Sequence, residues 1–77
     1  MVNPVTNSSA ITITTERPGK VNLKIIDIAG RDVSNQVVDC GRGPNTVLKD
    51  FSRLVSGSYF LIVTQDQNRI VKPFIKQ

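Results

Sequence analysis

The side chains that could do chemistry in this chain are few, because its 77 residues include no histidine and a single cysteine, Cys40. Histidine activates the nucleophile of serine- and cysteine-type triads, and it shares most structural and catalytic zinc sites with cysteine. Histidine-based triads and most ordinary metal sites are therefore excluded. Cys40 and Val38 lie two positions apart in one predicted strand, so their side chains point to the same face. This predicts that Cys40 is a small buried hydrophobic side chain rather than a nucleophile. One cysteine cannot form an internal disulfide, so cysteine usage does not indicate a compartment.

The remaining polar clusters lack the spacing that catalysis or ligand binding would need. The stretch Gly41–Gly43 is too short for a phosphate loop and lies between two predicted strands, away from any helix N-terminus. The acidic residues do not have the spacing of a calcium loop. They include Asp27, Asp32, Asp39 and Asp50. We therefore expect no cofactor, no metal and no catalytic activity of this chain's own.

The net charge of +4 comes from ten lysines and arginines against six acidic residues. A nucleic-acid site would need these cations to be clustered, with aromatic rings for base stacking. Here they are scattered from Arg17 to Lys76, and the chain has only one tyrosine and three phenylalanines. This distribution favours a solvated basic surface over nucleic-acid binding. No stretch is long and apolar enough for a membrane span, and no export signal is expected at the N-terminus.

Apolar residues alternate with polar ones along the chain, which predicts strands throughout and no helix. The length fits one small domain. Strands are predicted at Ala10–Thr15, Lys20–Ile28, Val33–Cys40, Thr46–Asp50, Ser58–Gln65 and Ile70–Gln77. Turns or loops are predicted at 29–32, 41–45 and 66–69. This spacing predicts an all-β, immunoglobulin-like antiparallel sandwich of about seven strands over residues 10–77, with residues 1–9 as a leader or linker remnant and first short strand.

The second predicted strand changes phase in its middle. A β-bulge at Ile25–Ile26 would return Ile26 and Ile28 to the core face and leave Asp27 pointing outward. The following Gly30 is free to adopt a positive φ in the turn.

The stretch Phe51–Val63 predicts a structural corner. Leu54 is expected to close the bottom of the core where the chain crosses between sheets, and Gly57 to allow a tight turn in which a Cβ would clash. Tyr59 is expected to bury its ring and to bond its hydroxyl to nearby backbone, as in the tyrosine corner of immunoglobulin-like sandwiches.

Two apolar side chains of the same strand, Phe60 and Ile62, lie on the face that should be polar. Either neighbouring side chains or the N-terminal segment cover them, or they form a contact patch for a partner. The last strand contains Pro73, which lacks an N–H and predicts an edge strand. One interpretation is that its proline and lysines protect this edge from pairing with other chains. The alternative is that a partner recognises this edge by strand addition or by charge.

Four pieces occur in an order that is similar to one known family. They are Asn3-Pro4-Val5, "VNLKIIDIAGRDV" (21–33), "NTVLKDFSRLVSGSYFLIV" (45–63) and the closing "VKPFIKQ". Together they resemble the type A C-terminal sorting domain of the type IX secretion system of Bacteroidetes over nearly the whole chain. The residues that match the family pattern, as its recognition signal, are Asn3, Pro4, Asp27, Gly30, Arg31, Gly57, Tyr59, Lys72, Phe74 and Lys76.

The resemblance implies a function that the spacing of residues alone does not. Such domains end larger secreted proteins, often proteases or adhesins, and direct this upstream cargo through the outer-membrane translocon. A sortase-like cysteine protease commonly removes the domain. The implied localisation of the parent is the periplasm in transit, then the cell surface or the medium.

Two other interpretations of the residues remain open at this point. The chain could be an immunoglobulin- or fibronectin-like spacer or binding module of a secreted hydrolase, or an adaptor that dimerises through its edge strand. A carbohydrate-binding module would usually present an exposed aromatic platform, and this chain has no tryptophan and four aromatic residues in all.

Overall fold

The computed structural model describes residues 8–77 of the chain. Six strands form in this part, and none of its residues is helical. The strands are β1 (Ser8–Thr15), β2 (Gly19–Asp27), β3 (Asp32–Cys40), β4 (Gly43–Asp50), β5 (Gly57–Gln65) and β6 (Asn68–Lys76). In residues 8–77 there is accordingly no helix with the length and apolar character of a membrane span.

The strands form two antiparallel sheets that pack as a sandwich. The large sheet has the order β3-β2-β5-β6, and the small sheet consists of β1 and β4. Strands β2 and β5, which are central in the large sheet, lie far apart in sequence, and the chain leaves this sheet between them to form β4. The predicted all-β sandwich is confirmed, and its arrangement is consistent with an immunoglobulin-like fold. Within the described residues, β6 is the last strand of its sheet, as Pro73 predicted.

The core lies between the sheets and follows from strict alternation in the central strands. In β1 the side chains at every second position are buried, and in β2 the buried positions are Val21, Leu23 and Ile25. Full burial of one such aliphatic side chain contributes about 1.5–3 kcal/mol. Cys40 is buried beside this cluster, as predicted.

Three aromatic rings fill one end of the core. The ring of Phe74 in β6 lies 5.3 Å from that of Phe51 and 5.6 Å from that of Tyr59, between ring centroids. Phe51 and Phe74 are fully buried. Phe51 follows β4 directly, so these contacts join the small sheet to two strands of the large one.

A bulge forms at the predicted position, but its extra residue is Val33 of β3 rather than a residue of β2, so its predicted consequence was wrong. Strand β2 pairs with β5 without interruption, which leaves Ile26 opposite the outward Phe60. The register between β2 and β3 shifts between Ile25 and Ile26. Ile26 is only half-buried, and Ile28 is 76% exposed instead of lying in the core. The reason is that β2 ends at Asp27, where a hydrogen-bonded turn begins, so no strand remains to direct Ile28 inward.

The predicted loop at 41–45 was also wrong in its second half. Pro44 pairs with Thr14, so β4 already begins at Gly43. The side chain of Asn45 forms hydrogen bonds with the backbone of the short connection between β3 and β4. Its oxygen accepts from the Gly41 N–H at 2.9 Å, and its nitrogen donates to the Gly41 carbonyl at 2.8 Å. The last hairpin turn is likewise shorter than predicted, because β5 ends at Gln65 and β6 begins at Asn68.

Candidate recognition surface

A closed turn contains the three pattern residues between β2 and β3. The Asp27 carboxylate accepts hydrogen bonds from the backbone N–H of Ala29 and of Arg31, both at 3.0 Å, and from the Arg31 side-chain Nε at 2.9 Å. Gly30 has a φ of +84°, as predicted, and its N–H donates to the Asp27 carbonyl. The turn therefore depends on Asp27 for its acceptor and on Gly30 for its backbone conformation.

This turn has a simple electrostatic consequence. The hydrogen bond from the Arg31 N–H, helped by the Arg31 side chain and the Ala29 N–H, holds the pKa of Asp27 below its usual 3.8. Asp27 was expected to point outward, but only 18% of its side chain is exposed, while the Arg31 side chain is 81% exposed. Of the two charged groups, the turn thus presents mainly the guanidinium to solvent.

The corner before β5 forms largely as predicted. The Tyr59 ring is buried, and its hydroxyl donates to the Val55 carbonyl at 2.5 Å. Leu54 is half-buried against the core, and its N–H donates to the Phe51 carbonyl at 3.0 Å. The corner is therefore hydrogen-bonded at both the backbone and the tyrosine hydroxyl.

The expected steric reason for Gly57 was wrong. A Cβ at this position would meet no atom within 4 Å, so space is not what requires glycine there. Its φ of +155° is what disfavours other residues, because L side chains rarely adopt that conformation.

The sheet brings residues from three separate parts of the family pattern into one row. Asp27 pairs directly with Tyr59 across β2 and β5, and Tyr59 pairs with Phe74 across β5 and β6. Gly57 pairs with Lys76 two residues further along the same strands. We call this part of the sandwich the closed end. Asn3 and Pro4 lie outside the described residues.

The last strand separates its three pattern residues. Lys72 is exposed, whereas Phe74 lies in the core. Lys76 is only 7% exposed, and its Nζ donates to the Gln77 carbonyl at 3.0 Å. Of these two lysines, only Lys72 is therefore exposed for the recognition by charge that the sequence left open.

The outer face of the large sheet carries an apolar row. Phe60 pairs with Pro73, and Ile62 pairs with Val71. Ile62 is buried and Phe60 is half-buried, while Val71 is 49% exposed. We call Phe60, Ile62, Val71 and Pro73 the outer apolar face. Its exposed surface lies on β6 more than on the two residues singled out from the sequence.

The opposite end of the sandwich, the open end, contains residues that the sequence did not single out. A groove of about 660 Å³ lies there, with Ile13 of β1 on one side and Val63 and Ile70 of the large sheet on the other. An Arg17–Asp66 ion pair at 2.6 Å joins the β1–β2 and β5–β6 connections nearby. Residues 8–77 contain no group of three or more side chains suited to hold a metal ion.

Comparison with known proteins gives one match. The model of a family described as "Secretion system C-terminal sorting domain" matches residues 3–77. Neither the search of curated proteins nor the search of solved structures found a match. The matched range contains every residue assigned above to the family pattern.

Proposed function

This chain belongs to the secretion system C-terminal sorting domain family, whose members are type IX secretion signals, and we propose that it acts as a folded signal read by the outer-membrane translocon. Membership implies export of an attached upstream cargo to the cell surface or the medium, and interaction with the type IX machinery. We further propose that the parent passes through the periplasm with this sandwich folded, and that a sortase-like cysteine protease then removes the sandwich.

The observation that carries the folded-signal proposal is the row at the closed end. The sequence separates Asp27 from Phe74 by 47 positions. In the sheet, both residues pair directly with Tyr59, which lies between them on β5. A translocon that read a linear peptide would have no use for this convergence. A translocon that reads a surface needs the residues beneath that surface to fix its shape.

The proposed contact surface is the exterior that these buried residues support. It consists of the Arg31 side chain and the outer apolar face, with Lys72 exposed on the opposite side of the same edge strand, β6. The apolar side chains would supply most of the contact, because an exposed ion pair contributes only about 0.2–1 kcal/mol. Lys76 would act through the structure of the last strand, since it is buried.

The proposal is tested with a fusion protein. Residues 1–77, preceded by a flexible linker, are attached to an inert fluorescent protein with its own inner-membrane signal peptide. The fusion is expressed in a bacterium with a type IX system and in the same strain without the translocon. We expect fluorescence at the surface or in the medium only in the intact strain. Periplasmic retention in both strains, with the domain folded, would favour a spacer or binding module instead.

The contact surface is tested with matched variants of the same fusion. Lys72→Ala is compared with Lys20→Ala, because Lys20 is also an exposed lysine but lies on β2, paired with Asp39 at 3.4 Å. We expect export to fall for Lys72→Ala and not for Lys20→Ala. Equal export of the two variants would remove Lys72 from the proposed surface.

A further inference from the structure

The two sheets of the sandwich cover each other unevenly. The small sheet has two strands and the large sheet four. On one side, β4 lies over β3, where the Lys49 Nζ donates to Ser34 Oγ at 2.9 Å and to Gln36 Oε1 at 3.0 Å. On the other side, no third strand of the small sheet lies beside β1 among residues 8–77.

The uncovered part of the large sheet exposes apolar side chains between polar ones. A second pocket of about 230 Å³ adjoins the groove at the open end, and both are lined by Ile13, Val63 and Ile70. Leu61, Lys72 and further residues of β1 also line the second pocket. Ile70 is 53% exposed although it shares the inward-facing parity of the buried Phe74. An inward-facing aliphatic side chain left half in water would gain from being covered.

The strand beside this groove has a suitable edge for pairing. All eight residues of β1 pair with β4 on one side, and within the described part of the chain no strand pairs with its other side. Edge strands are usually protected by proline, lysine or a bulge. Here β4 contains Pro44 and Lys49, and β6 contains Lys72 and Pro73, but β1 has the sequence SSAITITT, without proline or charge.

The charged residues that line the groove and the second pocket are mainly basic, with Arg17, Arg69 and Lys72 against Glu16, which favours an occupant that carries negative charge. Lys72 points to the same side of β6 as Ile70, and Arg69 lies at the rim. In residues 8–77 neither cation forms an ion pair, whereas Arg17 is already paired with Asp66. A carboxylate placed over Lys72 would therefore meet an unpaired ammonium group.

We propose that this groove accepts an extended segment of a partner protein, which adds as a third strand to β1, covers Ile70 with apolar side chains and places a carboxylate against Lys72. Backbone hydrogen bonds to β1 would supply the alignment, and the inward side chains would supply the selectivity. That the partner belongs to the secretion machinery rests on the proposed function; the strand-accepting groove itself does not. An eight-residue strand spans about 26 Å, so six to eight residues of partner would fill the edge.

The probe is a series of eight-residue peptides that alternate threonine and valine. In each peptide of the series a different valine is replaced by glutamate. A twin series carries lysine instead of glutamate. Binding to the 77-residue chain is followed by NMR, with hydrogen exchange at the β1 amides. We expect one glutamate register to bind at least tenfold more tightly than its lysine twin and to protect β1. Equal binding of the twins, or protection elsewhere than β1, would overturn the proposal.

Two controls separate strand addition from attraction to a basic protein. N-methylation of alternate peptide nitrogens removes ladder donors, and it should abolish binding if a strand is added. Lys72→Glu should reverse the preference toward the lysine twin, whereas Lys20→Glu, with the same change in net charge, should not. Retained binding after N-methylation, or an equal response to both substitutions, contradicts the proposal.

A second copy of this chain is the competing occupant. Concentration-dependent dimerisation that is lost in Ile70→Asp would identify it and overturn the partner assignment. Ile70 is half exposed, so this variant should fold, which circular dichroism verifies. The fusion assay is independent of these results: translocon-dependent export without peptide binding removes only the groove, and peptide binding without export removes only the sorting function.

Discussion

The closed and open ends of the sandwich differ in how completely their apolar side chains are buried and their polar groups are paired. At the closed end, Phe74 is 1% exposed, the Tyr59 hydroxyl has an acceptor, and the Asp27 carboxylate accepts three hydrogen bonds. At the open end, Ile70 is half in water, and Lys72 has no acidic partner among the described residues. Most of the described residues that match the family pattern lie at the closed end, where they stabilise the fold. A pattern residue therefore need not be a contact residue.

The largest expected difference between the two ends is in core packing. Phe74→Ala removes a fully buried ring that contacts two others, and we expect a loss of about 3–5 kcal/mol in the free energy of unfolding. Ile70→Ala on the same strand should cost less than about 1 kcal/mol, because its side chain is half exposed already. Urea unfolding measures both. Similar losses would mean that the open end is covered in solution.

Backbone conformation should give the next effect. Gly57→Ala places an L side chain at a φ of +155°, which should cost about 1–3 kcal/mol without any clash. Gly41→Ala is the matched control, since its φ lies outside the strained range and its nearest contact is an ordinary 3.9 Å. Thermal unfolding should show a lower midpoint for the first variant only. An unchanged midpoint for Gly57→Ala would refute the conformational explanation.

A smaller effect is expected from the tyrosine hydroxyl. Tyr59→Phe keeps the ring in the core and removes the donor to the Val55 carbonyl. The fold should persist with a loss of about 1 kcal/mol, the usual contribution of one hydrogen bond. Urea unfolding with an unchanged slope would support this. Loss of the fold would show that the hydroxyl does far more than complete the corner.

The smallest effect should appear as acid sensitivity. The folded-state pKa of Asp27 lies below 3.8, mainly because the Arg31 N–H donates to it. The unfolded chain therefore binds more protons in that range, so the stabilisation is present above pH 3.8 and is lost as the pH falls through the lower folded value. The pKa of Asp50 is lowered in the same way by the Ser52 N–H, so it provides a second source of this loss.

A substitution separates the two carboxylates. Asp27→Asn should reduce the dependence of stability on pH below 3.8, and Arg31→Ala should reduce it only in part because the backbone donor remains. Asp50→Asn is the matched variant at the other turn. Unfolding midpoints measured from pH 2 to pH 5 give the comparison. An identical slope in Asp27→Asn and the parent would show that this turn does not stabilise the charged form of the carboxylate.

Local features of the fold could be predicted from the sequence because they depend on neighbours in the chain. The alternation in β2, the position of the register shift at Ile25–Ile26, the positive φ of Gly30 and the bonded hydroxyl of Tyr59 all belong to this class. Each is determined by one residue type within a few positions. The whole-chain resemblance supplied the family, which the match over residues 3–77 then established.

Features that depend on the relative width of the sheets could not be predicted in this way. The burial of Lys76 and the exposure of Ile70 follow from their places along β6: Lys76 follows Phe74, which packs against Phe51 and Tyr59, whereas Ile70 lines the groove. The exposure of Ile28 follows from the end of β2 at Asp27 rather than from its own alternation. The pairing of Asp27 with Tyr59 also required the strand order, which no local pattern contains.

The hydrogen-bonded phenol of Tyr59 has an optical consequence. The chain has one tyrosine and no tryptophan, so its near-ultraviolet absorption and its emission come almost entirely from this one ring. The ring lies in the core beside Phe74, and its hydroxyl is bonded to the chain that crosses between the sheets. The isolated domain therefore carries an intrinsic spectroscopic reporter of the closed end, with no label required.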